Sequence, residues 1–153
     1  MENITIQTKF TEDKISEIIN FIKSSYEVSY RQGAPESNPY FSDTYTEDVM
    51  SGKIRLFTTY TENKIIGSVQ YEDRDGISYL SQMTVHPDFR KKGIGAELLK
   101  NAESYAKAEG FKTMQLTAML EKGLPEYYKK LGYKEVGTKD RPRYTLLVME
   151  KEL

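Results

Sequence analysis

From residue 4 to residue 10 apolar and polar positions alternate with the period of a strand, and the spacing then changes to that of a helix. Thr11 stands where a helix cap belongs. Ile15, Ile18, Ile19, Ile22 and Tyr26 follow along one helical stripe. Residues 31–45 are rich in Gly, Pro, Ser and Asn and predict a loop, with a short helix at 46–51 after it. Strands are predicted at 54–60 and 65–71, joined as a hairpin across Thr61-Glu62-Asn63-Lys64. A turn at Asp73-Arg74-Asp75-Gly76 leads into a third strand of the meander, 77–85, which Pro87 closes.

The next helical stripe carries Ile94, Leu98, Leu99, Ala102, Tyr105 and Ala106, with Gly110 placed to end it. Residues 113–119 read as a strand. Pro125 suits the first turn of a short helix at 126–131, and Gly132 stops it. Two last strands, 133–137 and 144–150, complete the order β-α-(α)-β-β-β-α-β-α-β-β. The strand–helix–strand unit between Ile77 and Met119 predicts a right-handed parallel crossover. No repeat, low-complexity tract or linker divides the chain, so residues 1–153 are expected to form a single domain.

Composition narrows the chemistry. At 153 residues, 38% apolar and 29% charged, the chain fits one globular core. It has no Cys, which excludes a disulfide framework, a thiolate zinc site and a cysteine nucleophile, and no metal site is expected. A formal net charge of −1 favours neither nucleic acid nor an acidic surface as partner. No stretch approaches the roughly 18 apolar residues of a membrane span. The first residues carry no secretory leader, so no membrane partner and a cytoplasmic location are expected. The charge is uneven, however. Residues 36–75 hold eight acids against four bases, whereas 86–143 hold thirteen bases against eight acids.

The basic part begins at Arg90-Lys91-Lys92-Gly93-Ile94-Gly95-Ala96, directly where a helix opens. The first N–H groups of a helix lack internal partners, and its dipole is positive at that end. Glycine lets an anion approach the backbone, and the cationic side chains add charge. This is a phosphate cradle that would fit a pyrophosphate. A P-loop is excluded because Lys92 precedes Gly93 and Ala96 follows Gly95. A dinucleotide fingerprint is excluded because Leu98 stands where its third glycine is needed.

Arg90-Lys91-Lys92-Gly93-Ile94-Gly95 resembles the Arg/Gln-x-x-Gly-x-Gly/Ala motif of the GNAT superfamily, the acyl-CoA-dependent N-acetyltransferases. Met83-Thr84-Val85-His86-Pro87 resembles the end of that family's fourth strand. Tyr127-Tyr128-Lys129-Lys130-Leu131-Gly132-Tyr133 resembles its C-terminal segment. The resemblance implies an α/β (α+β) fold: a mixed, mostly antiparallel sheet of six to seven strands, flanked by about four helices and splayed between strands four and five. It implies acetyl-CoA as co-substrate. Backbone groups of Met83, Thr84 and Val85 would pair with the pantetheine arm, and the amides from Lys91 to Ala96 would hold the pyrophosphate. Tyr128 would donate a proton as coenzyme A leaves.

Without Cys, direct attack of a primary amine on the thioester in a ternary complex is the economical route. The fourth strand reads Leu80-Ser81-Gln82-Met83-Thr84 and carries no acid, whereas relatives often place a glutamate there. Glu72 and Asp73 are nearby in sequence, but deprotonation through water is preferred. His86, the single histidine, reads as a turn residue. Lys122, Lys129 and Lys130 could meet the 3′-phosphate or simply be solvated. Tyr26, Tyr30, Tyr40, Phe41 and Tyr45 could wall a substrate pocket or serve the core. The acidic middle points to a cationic acceptor, small molecule or peptide: a polyamine, an aminoglycoside or a lysine side chain. Dimers are common in the resembled family. The competing reading is a catalytically weak acyl-CoA-binding sensor or partner domain. A nucleic-acid module is disfavoured, because no aromatics interleave the bases to stack on nucleobases.

Overall fold

The computed structural model describes residues 5–31, 41–120 and 124–153. Along them run β1 (Thr5–Gln7), α1 (Glu12–Arg31), α2 (Tyr45–Ser51), β2 (Ile54–Thr61), β3 (Lys64–Arg74) and β4 (Ile77–Val85). A 3₁₀ turn at Pro87–Phe89 follows, then α3 (Ile94–Ala108), β5 (Thr113–Met119), α4 (Leu124–Lys130), β6 (Lys134–Arg141) and β7 (Tyr144–Glu152). The order is the one the periodicity predicts. The Tyr30 side chain, Tyr40 and Lys122 lie outside the described residues.

Local chemistry explains most boundaries. Thr11 caps α1, its Oγ1 accepting from the Lys14 N–H at 3.3 Å. The β2–β3 turn places Glu62 and Asn63 at φ 49° and 63°, the doubly left-handed turn that matches strand twist. Asp75 and Gly76 repeat it between β3 and β4, and Asp73 Oδ1 accepts from the Gly76 N–H at 2.7 Å. Strands β3 and β6 run on to Arg74 and Arg141, beyond the apolar alternation. Ladder pairing extends them there: Arg74 lies opposite Ile77 and Arg141 opposite Tyr144. Every residue of β6 is exposed, so a hydrophobic pattern cannot report its length. Strand β1 ends at Gln7, and Phe10 instead packs against the α1 side of the core.

The seven strands lie in the order β1-β2-β3-β4-β5-β7-β6, antiparallel except for β4 beside β5. That parallel contact is brief: only Tyr79 with Gln115 and Leu80 with Leu116 are in register. Beyond Leu80 the strands separate, so the sheet is splayed where the resemblance implies. One face carries α1 and α2 over Ile18, Ile22, Tyr45, Ile54, Leu56, Tyr60 and Ile65. The other carries α3 over a larger core that includes Leu80, Leu98, Leu99, Leu116, Tyr128 and Met149. Leu98 and Leu99 are 0% and 2% exposed, a burial that contributes about 1.5–3 kcal/mol for each side chain. Gly67 sets how closely α3 approaches. A β-carbon there would stand 3.0 Å from Ile94 Cγ2, 3.1 Å from Leu98 Cδ1 and 3.4 Å from the Thr84 carbonyl.

Candidate active site

The end of β4 that has parted from β5 is reshaped by a bulge against β3. Gln70 lies opposite Ser81 but Ser68 lies opposite Thr84, so β4 carries one extra residue. Gln82 takes φ 53°, and Thr84 Oγ1 donates to its carbonyl at 3.2 Å. In a regular strand Leu80 and Met83 would face opposite sides. The extra residue turns Leu80, Met83 and Val85 all toward the α3-side core. No glycine marks this bulge, and nothing in the local pattern announces it.

The cradle follows. His86 ends β4 as a turn residue: its Nδ1 accepts from the Asp88 N–H at 3.1 Å, and its ring meets Phe89 edge-on. Arg90 Nε donates back to the Val85 carbonyl at 3.2 Å. Lys91 and Gly93 are both left-handed, at φ 62° and 83°. The first bond of α3 runs from the Glu97 N–H to the Gly93 carbonyl, at 3.0 Å. The N–H groups of Ile94, Gly95 and Ala96 therefore have no helical partner. Lys91 and Lys92 are exposed around this end, with Lys92 Nζ 5.3 Å from the Phe89 ring centre.

The two glycines differ. A β-carbon on Gly93 would meet nothing within 4 Å, so its backbone angle is what calls for glycine. A β-carbon on Gly95 would stand 2.7 Å from the hydroxyl of Tyr127, so that vacancy is filled by protein.

Tyr128 is buried on α4, with the rings of Tyr127 and Tyr133 edge-on at 5.2 and 6.0 Å. Burial pushes its phenol well above the usual tyrosine range, and the neighbouring Tyr127 and Tyr26 add to the shift. Tyr26 of α1 is itself raised by burial and then by Tyr144 at the start of β7. Tyrosines from α1, α4 and β7 thus converge, and Tyr144 is a member that the chain pattern gives no reason to single out.

On the α1/α2 face a polar chain crosses the sheet. Tyr45 donates to Gln70 Oε1 at 2.8 Å, and Gln70 Nε2 donates to Glu72 Oε1 at 3.3 Å. Arg74 holds the same oxygen, its guanidinium 2.7 Å away, and stacks 3.8 Å over Tyr79. Tyr79 in turn bonds Thr117 Oγ1 at 3.2 Å. Glu72 is thus engaged on this face, whereas Asp73 serves the turn. Phe41 packs edge-on against Tyr45 at 4.8 Å. Lys129 is paired with Glu126 and Glu135, at 3.2 and 3.0 Å. Among the described residues no cluster of His, Asp and Glu side chains could hold a metal ion, and no helix is long and apolar enough to cross a membrane.

The sheet thus opens between its two parallel strands, and a basic helix start stands at the opening. The family model described as acetyltransferase (GNAT) domain matches residues 27–153, and the chain belongs to that family. It is 35% identical over 83 residues to streptothricin acetyltransferase A of Bacillus subtilis, a match covering 49% of this chain and 47% of that protein. It is 40% identical over 60 residues to an uncharacterized N-acetyltransferase of Methanocaldococcus jannaschii, covering 39% of this chain and 26% of that one. The chain therefore spans about a quarter to a half of these curated relatives. Its fold is that of the PaiA N-acetyltransferase from Thermoplasma acidophilum, solved in complex with coenzyme A. The TM-score is 0.73, with 19% identity and 99% of each chain covered.

Proposed function

We propose that this protein transfers an acetyl group from acetyl-CoA to a primary amine by direct attack in a ternary complex, with residues 1–153 acting as one domain. The observation that carries this reading is the separation of β4 from β5 beyond Leu80, at the end of the sheet where α3 begins. Backbone groups of Met83, Thr84 and Val85 that face away from β3 pair with the pantetheine arm as a strand edge would, the Val85 carbonyl being shared with Arg90 Nε. One such N–H polarises the thioester carbonyl. The amides from Lys91 to Ala96 hold the pyrophosphate, and Arg90, Lys91 and Lys92 supply positive charge around it.

Transfer forms a C–N bond as the C–S bond breaks. The attacking nitrogen gives a proton to water, and coenzyme A leaves as a thiolate. Tyr128, kept protonated by burial, donates a hydrogen bond to sulfur as that charge develops. A thiol ordinarily titrates at about 8.5 and a phenol at about 10, so full transfer from Tyr128 is uphill. The phenol stabilises the leaving sulfur, and solvent delivers the final proton. The β4 segment carries no acid, which supports water as the route for deprotonating the amine.

The acceptor is a cationic amine, free or on a peptide, entering on the α1/α2 face, where Glu47, Asp48 and Glu72 of the acidic middle segment lie. A free-thiol assay across polyamines, aminoglycosides, lysine peptides and neutral amines tests the proposal. Thiol release matched one-to-one by acetamide is expected. Coenzyme binding without turnover on any amine would instead make the protein an acyl-CoA-binding sensor.

A further inference from the structure

Tyr127 combines exposure with an inward-turned polar tip. The residue is 38% exposed, yet its hydroxyl rests on the backbone of α3 at Gly95. A surface tyrosine ordinarily keeps its ring on the protein and its hydroxyl in water. The contact is specific in shape. The position a Gly95 β-carbon would take is 2.7 Å from Tyr127 Oη and 3.8 Å from Val85 Cγ2. That vacancy thus lies between α4, α3 and the end of β4. Because the Cα–Cβ direction in a helix leans toward the N-terminus, it also faces the turn that carries the free N–H groups.

We propose that Tyr127 is a positioning residue: its hydroxyl, seated where Gly95 has no side chain, docks α4 onto the first turn of α3 and so fixes Tyr128 relative to the coenzyme site. This rests on the reading of Tyr128 as the hydrogen-bond donor to sulfur. The residue following a docked one on a helix of about two turns has little freedom of its own. Its ring is also wedged between Tyr127 and Tyr133. Gly95 is then glycine for the tyrosine, and Gly93 for the turn. Alanine at position 95 places a methyl group where the hydroxyl sits. Phenylalanine at position 127 removes that hydroxyl. The two changes together exchange one group for another of similar volume, which packed interiors tolerate best.

The test is a double-mutant cycle on Gly95→Ala and Tyr127→Phe. It reads kcat, the calorimetric Kd for coenzyme A and urea unfolding of each variant. Gly95→Ala is expected to lower kcat by about 10- to 100-fold, the cost of misplacing a catalytic group by about 1 Å. Its Kd should rise by a smaller factor than kcat falls, because alanine keeps the amide, and the double variant should recover most of the kcat. A double variant no better than Gly95→Ala would overturn the proposal, as would a Gly95→Ala loss that falls on Kd and leaves kcat intact, which would give the glycine to the phosphate. Full turnover by Tyr128→Phe would sink the underlying role of Tyr128. Recovery of urea stability in the double variant would still report the Tyr127–Gly95 contact separately.

Discussion

Arg90 donates from Nε to the carbonyl of Val85 at 3.2 Å, tying the first base of the cradle to the last residue of β4. The strand end and the basic turn before α3 are therefore tied by a side-chain hydrogen bond, and the three neighbouring cations do different work. Arg90→Lys keeps the charge but loses this donor, at an expected cost of about 0.5–1.5 kcal/mol. Lys91→Gly should change stability the other way, by about 1 kcal/mol, because Lys91 is held left-handed at φ 62°. Gly93→Ala should cost about 1–2 kcal/mol from its φ of 83° alone, since its β-carbon would meet open space. Urea unfolding of the three variants measures all of these. Equal, same-sign effects would contradict the loop geometry.

Gly67→Ala should lower stability by about 1–3 kcal/mol, the cost of overpacking a filled core. The added methyl meets Ile94, Leu98 and the Thr84 carbonyl, so it pushes the start of α3 away from β4. Coenzyme A affinity should fall with stability, although position 67 belongs to neither the cradle nor α4. Calorimetry on the folded variant decides. Unchanged affinity would show that the α3–β4 spacing does not set the cradle.

Tyr128→Phe should lower kcat by roughly 10²-fold or more, the cost of removing one hydrogen-bond donor from developing charge, with KM for acetyl-CoA little changed. The pH profile carries a sign. A phenol raised by burial holds its proton to higher pH than a free one, so the donor is not lost as pH rises through the ordinary tyrosine value of about 10. The rate should climb with pH as the amine deprotonates and show no falling limb near 10. A falling limb there would mean that Tyr128 ionises as an exposed phenol does.

Acids on the acceptor face should gather a cationic amine. Glu47 and Asp48 lie in the first turn of α2, where Asp48 also accepts from the Thr44 hydroxyl at 3.0 Å. Substituting Asp48 would therefore loosen the helix as well as change the charge. The cleaner variant is Asp43→Asn with Glu47→Gln. It should raise KM for a dicationic amine severalfold and leave KM for acetyl-CoA unchanged. In the unaltered protein kcat/KM should fall with salt as screening shortens to ~10 Å at 0.1 M. A neutral or anionic acceptor that works best at every salt concentration would sink the cationic reading.

Much of this protein is legible along the chain because its signals are local. The alternation of Ile77–Val85, the stripe from Ile94 to Ala106 and the Gly-x-Gly at a basic helix start each depend on residues within a few positions of one another. They determine the element order, the parallel crossover and the basic helix start at α3. What only the tertiary structure decides is every relation between distant segments. The length of β6 comes from pairing with β7, the β4 bulge from its register against β3, and the closeness of α3 from Gly67. The vacancy at Gly95 reads in the sequence as room for a phosphate. In the fold it holds the hydroxyl of Tyr127, a residue 32 positions away. Periodicity reports which way a side chain points relative to its own element. Only packing reports what it meets, because close contacts are fixed by the shapes of segments far apart in the chain.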